Sequence, residues 1–141
     1  MADARYDPDN IFAKILRGEI PCHRVYEDAQ TLAFMDVMPQ AEGHTLVVPK
    51  APARGLLDVA PDTLAALIVR VQKVAAAVKT AFAADGLTIL QYNEPAGGQS
   101  VFHLHFHVVP RMEGVALKPH EGGMADAGVL KVQAERIRAA L

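Results

Sequence analysis

Ser100-Val101-Phe102-His103-Leu104-His105-Phe106-His107-Val108-Val109 places histidine on every second residue of an apolar, β-favouring run. Three of the chain's six histidines fall here. Successive strand side chains point to opposite faces, so the spacing predicts His103, His105 and His107 on one face. Leu104, Phe106 and Val108 take the other face and can enter a core. Neutral imidazole is donor, acceptor and base near neutral pH, so three on one rigid element point to chemistry rather than packing.

The loop before this run is Asn93-Glu94-Pro95-Ala96-Gly97-Gly98-Gln99-Ser100. Paired glycines let backbone approach a ligand closely, and successive N–H groups can form an anion nest. Asn93 adds an amide and Ser100 a hydroxyl. Directly before aligned histidines, the loop reads as a phosphate cradle.

Further out, apolar periodicity and breakers predict the remaining elements. Residues 1–9 read as a loose lead-in. Asn10 caps a short helix ending at Gly18. Arg24 to Tyr26 and Thr31 to Met35 read as strands around a turn, and Gly43 to Val48 as a third strand stopped by Pro49. A long helix over 61–84 starts at Ala60-Pro61-Asp62. Leu87 to Tyr92 is a fourth strand and residues 101–109 a fifth. Residues 112–128 form an irregular arm, and Val129 to Leu141 a last helix. The pattern is α+β, mainly antiparallel strands with helices on one side.

The length, 141 residues, suits one domain with a real core. A formal charge of −2 offers no basic surplus for nucleic acid, and no polybasic stretch marks a membrane surface. No apolar run is long enough to span a bilayer, since Arg70 and Lys73 interrupt the longest. Cys22 is the only cysteine, and the first ten residues are too polar for a signal peptide. A cytoplasmic protein is expected.

Loop and strand together resemble the histidine triad (HIT) family, whose motif is His-X-His-X-His followed by two residues, with X and those residues hydrophobic. Four other stretches share the likeness. Asn10-Ile11-Phe12-Ala13-Lys14-Ile15 resembles the family's opening helix. Phe34-Met35-Asp36-Val37 resembles its ribose-binding turn. Gly43-His44-Thr45-Leu46-Val47-Val48-Pro49-Lys50 resembles its strand with a further histidine, and Gly97-Gly98-Gln99-Ser100 its phosphate loop. The resemblance covers residues 8–111, taken as a HIT-like domain with a five-stranded sheet. Residues 112–141 are an arm and helix expected to pack on it.

The resemblance implies that His105 attacks the α-phosphate of a purine nucleotide, forms a covalent nucleotidyl-histidine, and yields nucleoside monophosphate on hydrolysis. The backbone carbonyl of His103 would orient the His105 ring, and the His103 ring would bond His44. His107 would face phosphate oxygens or the leaving group. Ser100, Asn93, Gly98, Gln99 and Val101 would hold the phosphate, and Asp36 the ribose hydroxyls. Ile11, Phe12, Ile15, Phe34 and Val37 would sandwich the base. The motifs look closest to the phosphoramidase-like branch.

Some bacterial relatives carry two cysteines in the opening helix that help bind zinc. Residues 9–13 have none, so neither metal nor other cofactor is expected. The resemblance also implies a homodimer with adjoining sheets and long helices. Val69, Ala76 and Ala77 widen the helix stripe in keeping with that seam. Rival readings are a dinucleoside polyphosphate hydrolase, a metal-dependent hydrolase using the strand histidines, and a low-turnover nucleotide-binding module. Against one ion bound by all three histidines stands the span from His103 to His107, about 13 Å along a strand.

Overall fold

The computed structural model describes residues 6–119 and 122–141. The signal-peptide reading of the N-terminus rests partly on residues 1–5, which lie outside them.

Five strands form one antiparallel sheet: β1 (Arg24–Glu27), β2 (Thr31–Met35), β3 (Thr45–Pro49), β4 (Gly86–Leu90) and β5 (Phe106–Arg111). Their spatial order is β1-β2-β3-β5-β4, so the triad strand lies between β3 and β4. Helix α1 (Ile11–Leu16) follows Asn10, whose side chain accepts from the Ala13 amide. Helix α2 (Pro61–Ala81) and helix α3 (Ala127–Ala139) pack together and cover part of the sheet.

The main core joins Val47, Leu67, Val71, Val74, Val78, Leu104, Val108, Leu130 and Ile137, all almost wholly buried. A smaller cluster on Phe12, Leu32, Phe34, Leu46 and Val48 forms under α1. The even-numbered β2 and β3 residues of that cluster alternate with Ala33, Met35 and Val47 of the main core. Both faces of these central strands are therefore buried. That explains their continuous apolar runs.

Several expected boundaries shift. β5 begins at Phe106, so His103 and His105 precede the strand and only His107 lies on it. The run 100–105 bonds to loops instead: the Leu104 amide donates to the Ala53 carbonyl at 2.8 Å. Helix α2 ends at Ala81, where Ala83 takes a positive φ of 48°, rather than continuing to 84. β4 ends at Leu90, and Gln91 and Tyr92 leave the ladder. β3 starts at Thr45 and includes Pro49. Gly43 before it has a φ of 84°, and a Cβ there would lie 2.7 Å from the Phe82 ring.

Helix α3 starts two residues early because Asp126 caps it through the Val129 amide. Nor are residues 6–9 loose: Asp7 anchors a turn with Asp9 and Asn10, and Arg17 Nη1 donates to the Pro8 carbonyl at 2.6 Å. On α2, Val69 and Ala76 are exposed but Ala77 is buried in its own core, so it cannot belong to a seam between subunits.

Candidate active site

His105 sits just before β5 with its Nδ1 2.6 Å from the His103 carbonyl. A carbonyl only accepts, so Nδ1 carries a proton, and in the neutral ring Nε2 keeps its lone pair. His103 Nε2 lies 2.8 Å from the Pro49 carbonyl, which likewise places that ring's proton on Nε2. The Tyr6 hydroxyl reaches His103 Nδ1 at 2.6 Å. Burial pushes the His103 imidazole below its ordinary value, with the Pro49 hydrogen bond opposing. The expected His103–His44 bond is absent because these groups occupy both ring nitrogens.

His44 instead pairs with His107. The Gln40 amide donates to His44 Nδ1 at 3.0 Å, so His44 carries its proton on Nε2. That atom lies 2.9 Å from His107 Nδ1 and 3.4 Å from Asp36 Oδ2. His107 Nδ1 thus accepts, and its own proton sits on Nε2. One backbone amide therefore fixes two tautomers in turn. His105 and His107 lie side by side, with ring centroids 5.0 Å apart.

The three triad residues are at most 6% exposed, so the histidines are buried rather than open to solvent. Phe12 meets the His105 ring edge-on at 4.9 Å and the Phe34 ring at 5.3 Å. This brings the expected base wall against the expected nucleophile. Ile11 and Val37 are exposed beside them, at 47% and 43%. Ile15 is half-buried and borders a cavity of about 750 Å³ with Leu16, Cys22, Leu32 and Arg138. That cavity contains none of the histidines of the triad. The histidines, unlike that cavity, carry donor and acceptor atoms fixed by hydrogen bonds.

The glycine loop forms a single 3-10 turn, Pro95–Gly97, closed by Gly98 at φ 97°. Ser100 is exposed and Val101 half-buried. Gln99 is buried: its Nε2 donates to the Arg54 and Val101 carbonyls, and its Oε1 accepts from the Glu94 amide. Asn93 Oδ1 accepts from the Leu56 amide and from Gln91, and its Nδ2 donates to Gln91. Both side chains hold the loop's shape. Arg54 clamps the same loop through a two-point ion pair with Glu94 at 2.8 and 2.9 Å.

Asp36 accepts from the Met38 amide through Oδ1 at 2.8 Å. Among the described residues, Asp36, His44 and His107 each offer a ligand atom, all within 4.8 Å of one another. This oxygen and nitrogen set could suit zinc. An ion there would have to replace the His44–His107 hydrogen bond.

Tyr6, Gln40 and Tyr92 escape the sequence reading. Gln40 acts through its backbone, which no side-chain pattern reveals. The Tyr92 ring packs edge-on against His107 at 5.4 Å, and a Cβ on Gly98 would lie 3.1 Å from the same tyrosine.

The profile of the HIT domain matches residues 17–114. The chain belongs to the HIT family. It is 38% identical over 105 residues to adenylylsulfatase HINT3 of Arabidopsis thaliana, covering 74% of this chain and 53% of that protein. The alignment therefore spans about half the length of HINT3. A Hit-like protein from Bartonella henselae, described as involved in cell-cycle regulation, superposes with a TM-score of 0.92 at 55% identity. The match covers 97% of this chain and 100% of that one. A hypothetical histidine triad nucleotide-binding protein from Sulfolobus tokodaii superposes with a TM-score of 0.85 at 34% identity, covering 92% and 89%.

The architecture is thus that of the HIT α+β fold. HIT proteins are commonly nucleotide-binding hydrolases. No helix among the described residues is long and apolar enough to cross a membrane.

Proposed function

We propose that this HIT protein is a phosphoramidase-like nucleotidyl hydrolase that works through a covalent intermediate on His105. The observation that carries the reading is the 2.6 Å bond from His105 Nδ1 to the His103 carbonyl. In the neutral ring it leaves the Nε2 lone pair for attack, with no base needed to deprotonate it.

A nucleoside phosphoramidate is the substrate class. His105 Nε2 forms a bond to the α-phosphorus as the bond from phosphorus to the amine nitrogen breaks. The amine nitrogen takes up a proton from solvent as it leaves, and His107 Nε2–H donates a hydrogen bond to the lone pair that develops on it. Water then attacks the same phosphorus, breaks its bond to His105 and returns a proton to solvent. Nucleoside monophosphate leaves.

Exposed Ser100 and the amides around Gly98 and Val101 face the phosphate, where donors count most as charge develops. Asn93 and Gln99 support that loop through their hydrogen bonds. Asp36 accepts from the ribose hydroxyls. Ile11, Phe12, Ile15, Phe34 and Val37 enclose a purine. The reading assigns no cofactor, no nucleic acid and no membrane partner.

The reading also carries a cytoplasmic homodimer. Exposed Ile68 and Val69 on α2, with exposed Ile89 on the edge strand β4, support a second copy there. Light scattering at low micromolar concentration checks this. A fully active species with the 15.2 kDa mass of one chain contradicts it.

The test of the activity is a single-turnover assay with an adenosine phosphoramidate, followed by turnover profiles on dinucleoside polyphosphates and adenylyl sulfate. Phosphoramidate cleaved fastest supports the reading. Preference for adenylyl sulfate, the type of activity named for HINT3, or for a dinucleoside polyphosphate contradicts the assigned branch. Tight monophosphate binding with no turnover contradicts the enzyme.

A further inference from the structure

We propose that Tyr6 is a positioning residue for the nucleophile, acting through His103. The inference rests on the nucleotidyl-transfer reading above. Its geometric half stands independently of that reading.

His103 is wholly buried and needs a partner at each ring nitrogen. The Pro49 carbonyl, 2.8 Å from Nε2, can only accept and so fixes the proton there. Nδ1 is then an acceptor and requires a donor. The Tyr6 hydroxyl supplies it at 2.6 Å, across a sequence separation of 97 residues. The two rings also meet edge-on, with centroids 5.5 Å apart at 69°.

Tyr6 is delivered by a built turn. The Asp7 carbonyl accepts from the Asn10 amide and side chain, the Asp7 carboxylate accepts from the Asp9 amide, and Arg17 holds the Pro8 carbonyl. This turn leads into α1, whose Phe12 packs on His105. The lead-in therefore approaches the nucleophile from two sides: through Phe12 on its ring, and through Tyr6 on the residue whose carbonyl orients that ring.

The consequence is specific. His103 offers His105 its peptide carbonyl, and that carbonyl stays in place only while the His103 ring is pinned at both nitrogens. Without the Tyr6 hydroxyl the ring has a buried acceptor with no donor, and it must tilt or take up a proton. Either change moves the carbonyl or places a charge two residues from the nucleophile. Nucleotide contacts are left alone, so the rate of the chemical step should suffer and binding should not.

The experiment is Tyr6→Phe, which keeps the ring and removes the hydroxyl. The expected result is kcat lower by about tenfold with KM within about twofold. A long-range proton–nitrogen NMR spectrum should show wild-type His103 protonated on Nε2, and its Nδ1 signal should move toward that of an unbonded lone pair in the variant. Replacing tyrosine globally with 3-fluorotyrosine makes the phenol a stronger donor, and the same signal should move the opposite way.

Unchanged kcat, or wild-type His103 protonated on Nδ1, would overturn the proposal. So would a raised KM with unchanged kcat, which makes Tyr6 an ordinary wall of the pocket. A wild-type protein inert towards every phosphoramidate would overturn the nucleotidyl-transfer reading and the catalytic role of Tyr6 with it. The nitrogen spectrum would still report whether the hydrogen bond exists.

Discussion

His44 Nε2 stands 2.9 Å from His107 Nδ1, and the Gln40 amide behind His44 sets the direction of that bond. His107 therefore presents Nε2–H as a hydrogen-bond donor to the group that leaves. His107→Ala should lower kcat by about a hundredfold for a substrate that expels an alkylamine. For a leaving group that needs no proton, such as p-nitrophenolate on AMP, the loss should be below about threefold. His44→Ala should follow the same pattern more weakly. Equal losses on both substrates would remove His107 from assisting the leaving group.

Asp36 is tied to the Met38 amide by one oxygen, and its side chain is 14% exposed. Asp36→Ala should weaken AMP binding by about 1.5–3 kcal/mol, the scale of a lost charge-assisted hydrogen bond. A 2′,3′-dideoxy analogue should bind the variant and the wild type almost equally in calorimetric titration. If the variant still prefers the full ribose, Asp36 only shapes the turn.

Glu94 adopts φ 66° and ψ 161°, a region that side chains other than glycine occupy at a cost of about 1–3 kcal/mol. Its ion pair with Arg54 holds it there. Glu94→Ala keeps the strain and loses the pair, whereas Glu94→Gly loses both. The glycine variant should be more stable than the alanine variant by about 1 kcal/mol in urea unfolding. Equal stabilities would mean the strain is not real.

Much of this architecture was legible in the sequence. Asn10 as a cap, Pro61 at the start of α2 and the alternation of His107 with Phe106 and Val108 follow from local rules, because each concerns neighbours in the chain. The bond from His105 to the His103 carbonyl came from the family resemblance, and the structure places it as expected. The run 100–105 was not legible as irregular backbone. Its partners, such as the Ala53 carbonyl, lie far away in sequence, and the side-chain pattern of a strand persists without the ladder. The partner of His44 was misread for a similar reason: the Pro49 carbonyl and Tyr6 reach His103 first.

Stability should depend on pH through two groups of opposite charge type. Burial keeps His103 neutral in the fold, while the unfolded chain takes up a proton near pH 6.5. The unfolded state then binds more protons, so stability falls as pH drops below about 6.5. Asp28 acts lower. Burial alone would raise its carboxyl, but hydrogen bonds from Tyr26, the Gln30 and Thr31 amides and Arg70 hold it well below the usual carboxylate range. Its contribution is complete above the unfolded value near 3.9 and is lost as pH falls below it. Thermal unfolding between pH 7 and 3 should show both declines. Asp28→Asn should flatten the lower one, and an unchanged slope would contradict the assignment.

The most direct test of the account is to trap the intermediate. Protein mixed with an adenosine phosphoramidate is quenched in alkali, where a phosphorus–imidazole bond survives, then digested and mapped by mass spectrometry. The account predicts one adenylyl group, on His105, absent from the His105→Ala protein. An adduct on His103 or His107, or cleavage at the wild-type rate by His105→Ala, would contradict it.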